Sequence, residues 1–138
     1  MYITVFTPTY NRAYILGNLY QSLRKQKFLD FEWLVIDDGS SDDTESLVSQ
    51  WIQEGNKFPI RYCKQENGGK HRAINRGLEM AQGQWFFTMD SDDYLTDDAL
   101  EKVAKWCAGI ENDPCIKGIV ANRGYTPEQT VNYLFEEP

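Results

Sequence analysis

Three carboxylates stand within four residues at Asp90-Ser91-Asp92-Asp93. Carboxylates held this close repel one another unless a cation or a proton intervenes. A hard divalent ion takes oxygen ligands and often keeps water and substrate phosphates in its shell, so the spacing suits such an ion. In extended backbone alternate side chains share a face, so Asp90 and Asp92 are expected to point one way and Asp93 the other. The plainer alternative is a solvated acidic loop that caps the next helix. A second acidic pair, Asp37-Asp38, precedes Gly39-Ser40. It could hold part of a ligand beyond a strand end, or it could close an Asx turn. Of the two, Asp38 lies farther out of the strand and is the expected contact. Tyr10 could stack on a flat ring. Lys70 and Arg72 are cations at a helix start, where phosphates bind readily. His71, the one histidine, is read as a surface residue without a role.

The elements that must carry these residues can be read from periodicity. Tyr2 to Thr7 reads as a first strand, ended by Pro8, which lacks a donor. Leu16, Leu19, Tyr20 and Leu23 form the buried stripe of a first helix. Phe31 to Ile36 is a second strand running into Asp37. Polar residues from Ser40 to Thr44 offer caps for a second helix, whose inner face is Leu47, Val48, Trp51 and Ile52. Pro59 to Cys63 makes a short third strand. The turn at Asn67-Gly68-Gly69 opens a third helix with Ala73, Ile74, Gly77, Leu78 and Ala81 inward and Gly83 as its stop. Trp85 to Met89 reads as a fourth strand, buried on both faces. Thr96 caps a fourth helix with Asp97 and Asp98 in its first turn, and Leu100, Val103, Ala104 and Cys107 face inward. Ile116 to Ala121 reads as a fifth strand, and Thr126-Pro127-Glu128-Gln129 as the start of a last short helix.

Strands alternating with helices predict an α/β domain, a mostly parallel sheet with helices on both faces. The expected strand order is three, two, one, four. Its direction reverses between strands one and four, and ligands bind at carboxyl ends around such a point. Thr7-Pro8-Thr9, Asp37-Asp38 and Asp90-Ser91-Asp92 would then converge on one edge of the sheet.

Composition narrows the chemistry. The 138 residues carry a formal charge of −7, which disfavours nucleic acid and anionic membrane as partners. Cys63, Cys107 and Cys115 are an odd set without metal-ligand spacing, expected as free thiols in a reducing, cytoplasmic compartment. Met1 runs into strand-like sequence without a signal peptide, and no apolar stretch is long enough to span a bilayer. The first strand–helix loop lacks the glycine fingerprint of dinucleotide binding and the lysine motif of a P-loop. No serine sits in a nucleophile elbow, and no Cys/His set suits zinc. A nucleoside diphosphate ligand, held partly through a divalent ion, survives.

Thr7-Pro8-Thr9-Tyr10-Asn11-Arg12, then Val35-Ile36-Asp37-Asp38-Gly39-Ser40-Ser41-Asp42, then Asn67-Gly68-Gly69-Lys70 with Asn75 and Gly77, then Asp90-Ser91-Asp92-Asp93, occur in this order. Together they resemble the family 2 glycosyltransferases. The resemblance covers almost everything from Ile3 to Tyr94. It implies a GT-A, Rossmann-like fold and an inverting, metal-dependent enzyme that transfers a sugar from a nucleotide-diphosphate sugar. It implies that Thr7, Pro8 and Tyr10 border the nucleotide, that Asp38 contacts the base, and that Lys70 lies near the base or diphosphate. Asp90 would serve the ribose or the metal, Asp92 would be the metal ligand of the Asp-x-Asp motif, and Asp93 would support it. The expected cofactor is Mn²⁺ or Mg²⁺, and a uridine diphosphate sugar is the first expected donor. The acceptor, whether glycan, lipid or protein, is left open, as is peripheral membrane association of a longer enzyme. Members of the family usually carry a second half with the acceptor site and the catalytic base. No base is evident here, so residues 1–138 are expected to be a single donor-binding domain, cut short before that half. Tyr125, Tyr133, Leu134 and Phe135 are candidates for the apolar edge on which it would dock. Two other readings stand beside this one: a haloacid-dehalogenase-like phosphatase, whose nucleophilic aspartate belongs after the first strand, and a non-catalytic binding module.

Overall fold

The computed structural model describes residues 1–116 and 118, together with the backbone of 124–126 and 129–130. The elements run β1 (Ile3–Thr9), α1 (Ala13–Arg24), β2 (Phe31–Asp37), α2 (Thr44–Glu54), β3 (Ile60–Lys64), α3 (Lys70–Met80), β4 (Trp85–Thr88), α4 (Ala99–Ile110), β5 (Gly124–Thr126) and β6 (Gln129–Thr130). The chain divides into two units, 1–104 and 105–138.

The first unit is built on a four-stranded sheet in the order β3-β2-β1-β4, with every pair parallel. That is the expected order. The central strands are the most apolar, and β2 is buried at all seven positions. On one face, Trp33 stacks between α1 and α2. Its ring lies 6.0 Å from Tyr20 and 5.8 Å from Trp51, and the Tyr20 and Trp51 rings lie 4.2 Å apart. On the other face α3 covers Phe6, Leu34 and Ile36 through Ala73, and Phe86 stacks on Phe6 at 4.9 Å. Helices therefore cover both faces, as burying an all-parallel sheet requires.

Several elements differ from the sequence reading. Pro8 does not end β1, which runs on to Thr9. Phe6 and Tyr2 turn their carbonyls to the β4 side, accepting from Met89 and Trp85. Pro8 shares that parity, and β4 pairs only as far as Phe6. Its missing donor thus falls where no partner strand is paired, while the strand stays paired to β2 through Pro8 opposite Ile36. β4 is half-buried rather than buried on both faces, since it is the edge of this sheet. Ile52 and Leu78 are exposed, and the inner stripes of their helices are Thr44, Val48 and Trp51, and Ala73 and Gly77.

Gly83 does not stop α3, which ends at Met80. It passes against β1 instead: a Cβ there would lie 2.4 Å from the Thr4 nitrogen, and its N–H donates to Thr4 Oγ1 at 2.9 Å. Below it lies a buried polar cluster. Glu32 is fully buried, accepts from Thr4 Oγ1 and the Gln82 N–H, and pairs with Arg61 at 3.1 Å. Arg61 also donates to the Met80 carbonyl. These bonds fix the return from α3 into β4.

α4 begins at Ala99, three residues beyond Thr96, whose carbonyl accepts the Ala99 N–H. Gln26 Oε1 satisfies the Leu100 N–H at 3.0 Å, and its Nε2 donates to the Ser22 and Thr96 carbonyls. A buried glutamine at the end of α1 thus anchors the segment that follows the acidic residues. Leu100, Val103, Ala104 and Cys107 are buried as expected.

In the second unit, β5 and β6 pair antiparallel with Thr126 opposite Gln129. Strands therefore stand where the cap-and-proline pattern predicts a helix, and threonine and tyrosine at 125, 126 and 130 favour that outcome. Most of the expected fifth strand lies outside the described residues, as do Tyr133, Leu134, Phe135 and the side chain of Tyr125.

Candidate functional site

The carboxyl ends of β1, β2 and β4 meet at an open cleft of about 350 Å³, lined by Pro8, Thr9, Tyr10, Arg12, Asp38, Lys70, Ala73, Asp90, Ser91 and Asp92. Parallel pairing brings these ends level. The Asp38 N–H donates to the Thr9 carbonyl and the Met89 N–H to the Phe6 carbonyl. The expected convergence of three distant polar clusters is thus present in the geometry.

The acidic residues form a turn, not extended chain. The Asp93 N–H donates to the Asp90 carbonyl at 3.1 Å. Asp93 is therefore not turned away from its neighbours: one carboxylate oxygen from each of Asp90, Asp92 and Asp93 lies within 4.8 Å of the others. The donor set is oxygen alone, which fits Mg²⁺ or Mn²⁺ and offers nothing to thiolate-seeking ions. Two cations flank the turn. Lys70 Nζ lies 3.0 Å from Asp90 Oδ1, and Arg12 reaches to 4.0 Å from Asp92 Oδ2.

Asp38 is buried and holds the loop that opens α3. Its Oδ1 accepts from Gln65 Nε2 and the Gly68 N–H, its Oδ2 from the Gly69 N–H, each at 2.9 Å, and its carbonyl accepts from Asn67. Burial pushes its carboxyl upward, but the bonds from Gln65, Gly68 and Gly69, with Arg72 close by, outweigh this and hold it below its ordinary value. Three donors leave the carboxylate one of its roughly four acceptor positions, on Oδ2. The amides ahead of α3 are thus already bound to Asp38, and Lys70 rather than Arg72 is the α3 cation that lines the cleft. Asp37 is structural. It is fully buried, accepts the Ser40 N–H three residues on, and accepts from the Tyr62 hydroxyl, whose pKa is raised by burial and by that carboxylate.

Tyr10 and Arg12 sit on a loop whose shape is set by Asn11, which adopts φ 51°. Asparagine tolerates that left-handed conformation better than most residues. The Asn11 N–H donates to Ser40 Oγ, and its Oδ1 accepts from the Ser41 and Asp42 N–H groups. Asp42 in turn accepts from the Ala13 N–H at the start of α1. The loops after β1 and β2 are thereby joined.

Thr7 is placed differently from the sequence expectation. It does not line the cleft; it is fully buried, and its hydroxyl accepts the Trp33 indole N–H at 3.0 Å. Strand alternation turns it toward the Trp33 face. Thr9, Arg12, Ser91 and Ala73 also line the cleft, although no ligand role is read for them individually from the sequence. The first three each stand one or two positions from a named residue, so the signal was adjacency within the same motifs. Thr9 Oγ1 is buried and has no hydrogen-bond partner among the described residues.

Residues 4–135 match the sequence model of glycosyl transferase family 2. The chain belongs to this family. A Campylobacter jejuni GalNAc(5)-diNAcBac-PP-undecaprenol beta-1,3-glucosyltransferase is 36% identical over 100 residues, which are 71% of this chain and 32% of that one. Staphylococcus aureus TarS (residues 1–349), solved with UDP-GlcNAc, superposes with a TM-score of 0.74 at 29% identity, over 88% of this chain and 38% of that one. The Pyrobaculum calidifontis mannosyltransferase PcManGT, solved with GDP-Man and Mn²⁺, has the same TM-score at 28% identity, over 83% of this chain and 33% of that one. The architecture is the GT-A fold of these enzymes. The chain spans 13% to 39% of the length of the first curated relatives it matches. Family membership leaves the phosphatase reading without support. Among the described residues no helix is long and apolar enough to cross a membrane.

Proposed function

We propose that this chain is the donor-binding domain of a glycosyltransferase, taking a nucleoside diphosphate sugar, with uridine as the first candidate base, and a divalent cation. The observation that carries this reading is one cleft lined by Pro8, Tyr10, Asp38, Lys70, Asp90 and Asp92. In support, TarS was solved with UDP-GlcNAc, and PcManGT with GDP-Man and Mn²⁺.

Each residue has a role its geometry allows. Tyr10, half exposed at the cleft, stacks on the base. Asp38 accepts a base N–H at its remaining position and is kept anionic by its donors. Lys70 approaches the diphosphate as a point charge. Asp92 and Asp90 would hold the cation, with Asp93 beside them. When bound, the ion supplies Lewis-acid stabilisation of the charge that grows on the leaving diphosphate. Transfer with inversion also requires a base for the acceptor hydroxyl, and no described residue is assigned that role.

The test is to incubate the chain with radiolabelled UDP-sugars, Mn²⁺ and a broad acceptor mixture, and to read bound donor and the anomeric configuration of any glycoside formed. Retained donor, with any product inverted at the anomeric carbon, is expected. Failure to retain any sugar nucleotide would sink the assignment, and a retained anomer would overturn its stereochemistry.

A further inference from the structure

The acidic turn is not bare in this structure. Lys70 Nζ stands 3.0 Å from Asp90, and Arg12 stands 4.0 Å from Asp92, with its guanidinium also donating to the Tyr14 hydroxyl at 3.2 Å. Both cations line the same cleft as the carboxylates they face. Asp90 and Asp92 each face one of these cations, and a divalent ion would add positive charge where a diphosphate approaches.

We propose that Lys70 and Arg12 are exchangeable countercharges: they neutralise Asp90 and Asp92 while the cation site is empty, yield those oxygens to the incoming ion, and then face the diphosphate. This rests on the nucleotide-sugar reading of the cleft and adds Arg12 to the residues that hold the donor. The exchange makes each side chain an antagonist of cation binding and an ally of nucleotide binding. Both are long side chains, with 60% and 42% of their surface exposed, so they can change partner without disturbing the core. The coupling is reciprocal: whatever the ion does for nucleotide affinity, the nucleotide does for ion affinity. Part of that coupling passes through Lys70 and Arg12.

Calorimetric titration of Mn²⁺ alone into the wild type, Lys70→Met and Arg12→Met separates the two effects. Each variant keeps a long side chain and loses the charge. Removing an exposed pair should tighten Mn²⁺ binding by roughly two- to fivefold. At saturating Mn²⁺ the same variants should bind UDP about tenfold or more weakly, the loss expected for a charged contact to phosphate. Lys70→Arg should restore both values toward the wild type. Unchanged or weakened Mn²⁺ affinity in both Met variants, with the wild type binding Mn²⁺ and UDP normally, overturns the exchange and leaves the proposed function standing. No Mn²⁺ binding by any of the three proteins overturns the exchange and the metal part of that function together.

Discussion

Asn11 and Ser41 are thirty positions apart, yet Asn11 Oδ1 accepts the Ser41 backbone N–H at 2.8 Å. With the Asn11 N–H on Ser40 Oγ, this bond joins the loops that end β1 and β2. Tyr10 and Arg12 flank the joint and line the cleft. Asn11→Ala removes the acceptor and leaves an alanine at positive φ. A loss of about 1–3 kcal/mol in unfolding free energy is expected, with weaker UDP binding by the fraction that stays folded. Asn11→Gly relieves only the backbone, so it should recover stability in part without recovering affinity. Urea unfolding and UDP titration of both variants check this.

The pair of buried Glu32 and partly exposed Arg61 lies toward the other end of the strands from the cleft, with Thr4 opposite Glu32 in the β1–β2 register. Glu32→Ala strands Arg61 and frees the Thr4 hydroxyl and the Gln82 N–H. Arg61 keeps 30% of its surface in water and its bond to the Met80 carbonyl, so the cost should fall below the roughly 3–5 kcal/mol of a fully buried pair. Stability should fall sharply, while UDP affinity of the folded protein, measured well below its melting point, should be unchanged. A large affinity loss would mean that the cluster shapes the cleft as well.

Asp38 gives a pH dependence of definite sign. Its carboxyl is held below the ordinary value in the folded chain, so the unfolded chain binds its proton first as pH falls. The stability it contributes is complete above the ordinary carboxylate range, about pH 4, and is lost as pH falls through the lower folded value. Asp42 is displaced in the same direction: burial raises it, and bonds from Thr44 and Ala13 more than offset this. Unfolding free energy followed from pH 6 toward pH 2 should therefore decline below about pH 4, less steeply in Asp38→Asn. An identical decline in that variant would contradict the role of the Gly68, Gly69 and Gln65 bonds.

Much of this arrangement was legible in the sequence because period and punctuation agree. The stripe Leu16, Leu19, Tyr20, Leu23 could only be a buried helix face, and the alternation of strands with helices constrained the sheet order. The polar strand ends then followed from topology. What could not be read depends on facing partners. Thr7 and Thr9 look alike in sequence, yet one hydroxyl meets the Trp33 indole and the other has no partner among the described residues. The Asp90–Asp93 turn, in which Asp93 stands beside its neighbours, includes a backbone hydrogen bond from the Asp93 N–H to the Asp90 carbonyl. Gly83 resembles a helix stop, whereas its reason is the close passage of β1. Gln26, an ordinary residue in sequence, anchors the start of α4 only because of where the acidic segment returns.

Donor binding is expected to depend on the acidic turn admitting a diphosphate only when a divalent ion is present. Calorimetric titration of UDP into the chain, in excess Mn²⁺ and then in excess chelator, tests this directly, with Asp92→Asn as the matched variant that keeps shape and loses the anionic ligand. Binding in Mn²⁺ that is largely lost in chelator, and equally weak in Asp92→Asn under both conditions, is the predicted result. Equal UDP affinity with and without the ion, or wild-type affinity in Asp92→Asn, would contradict it.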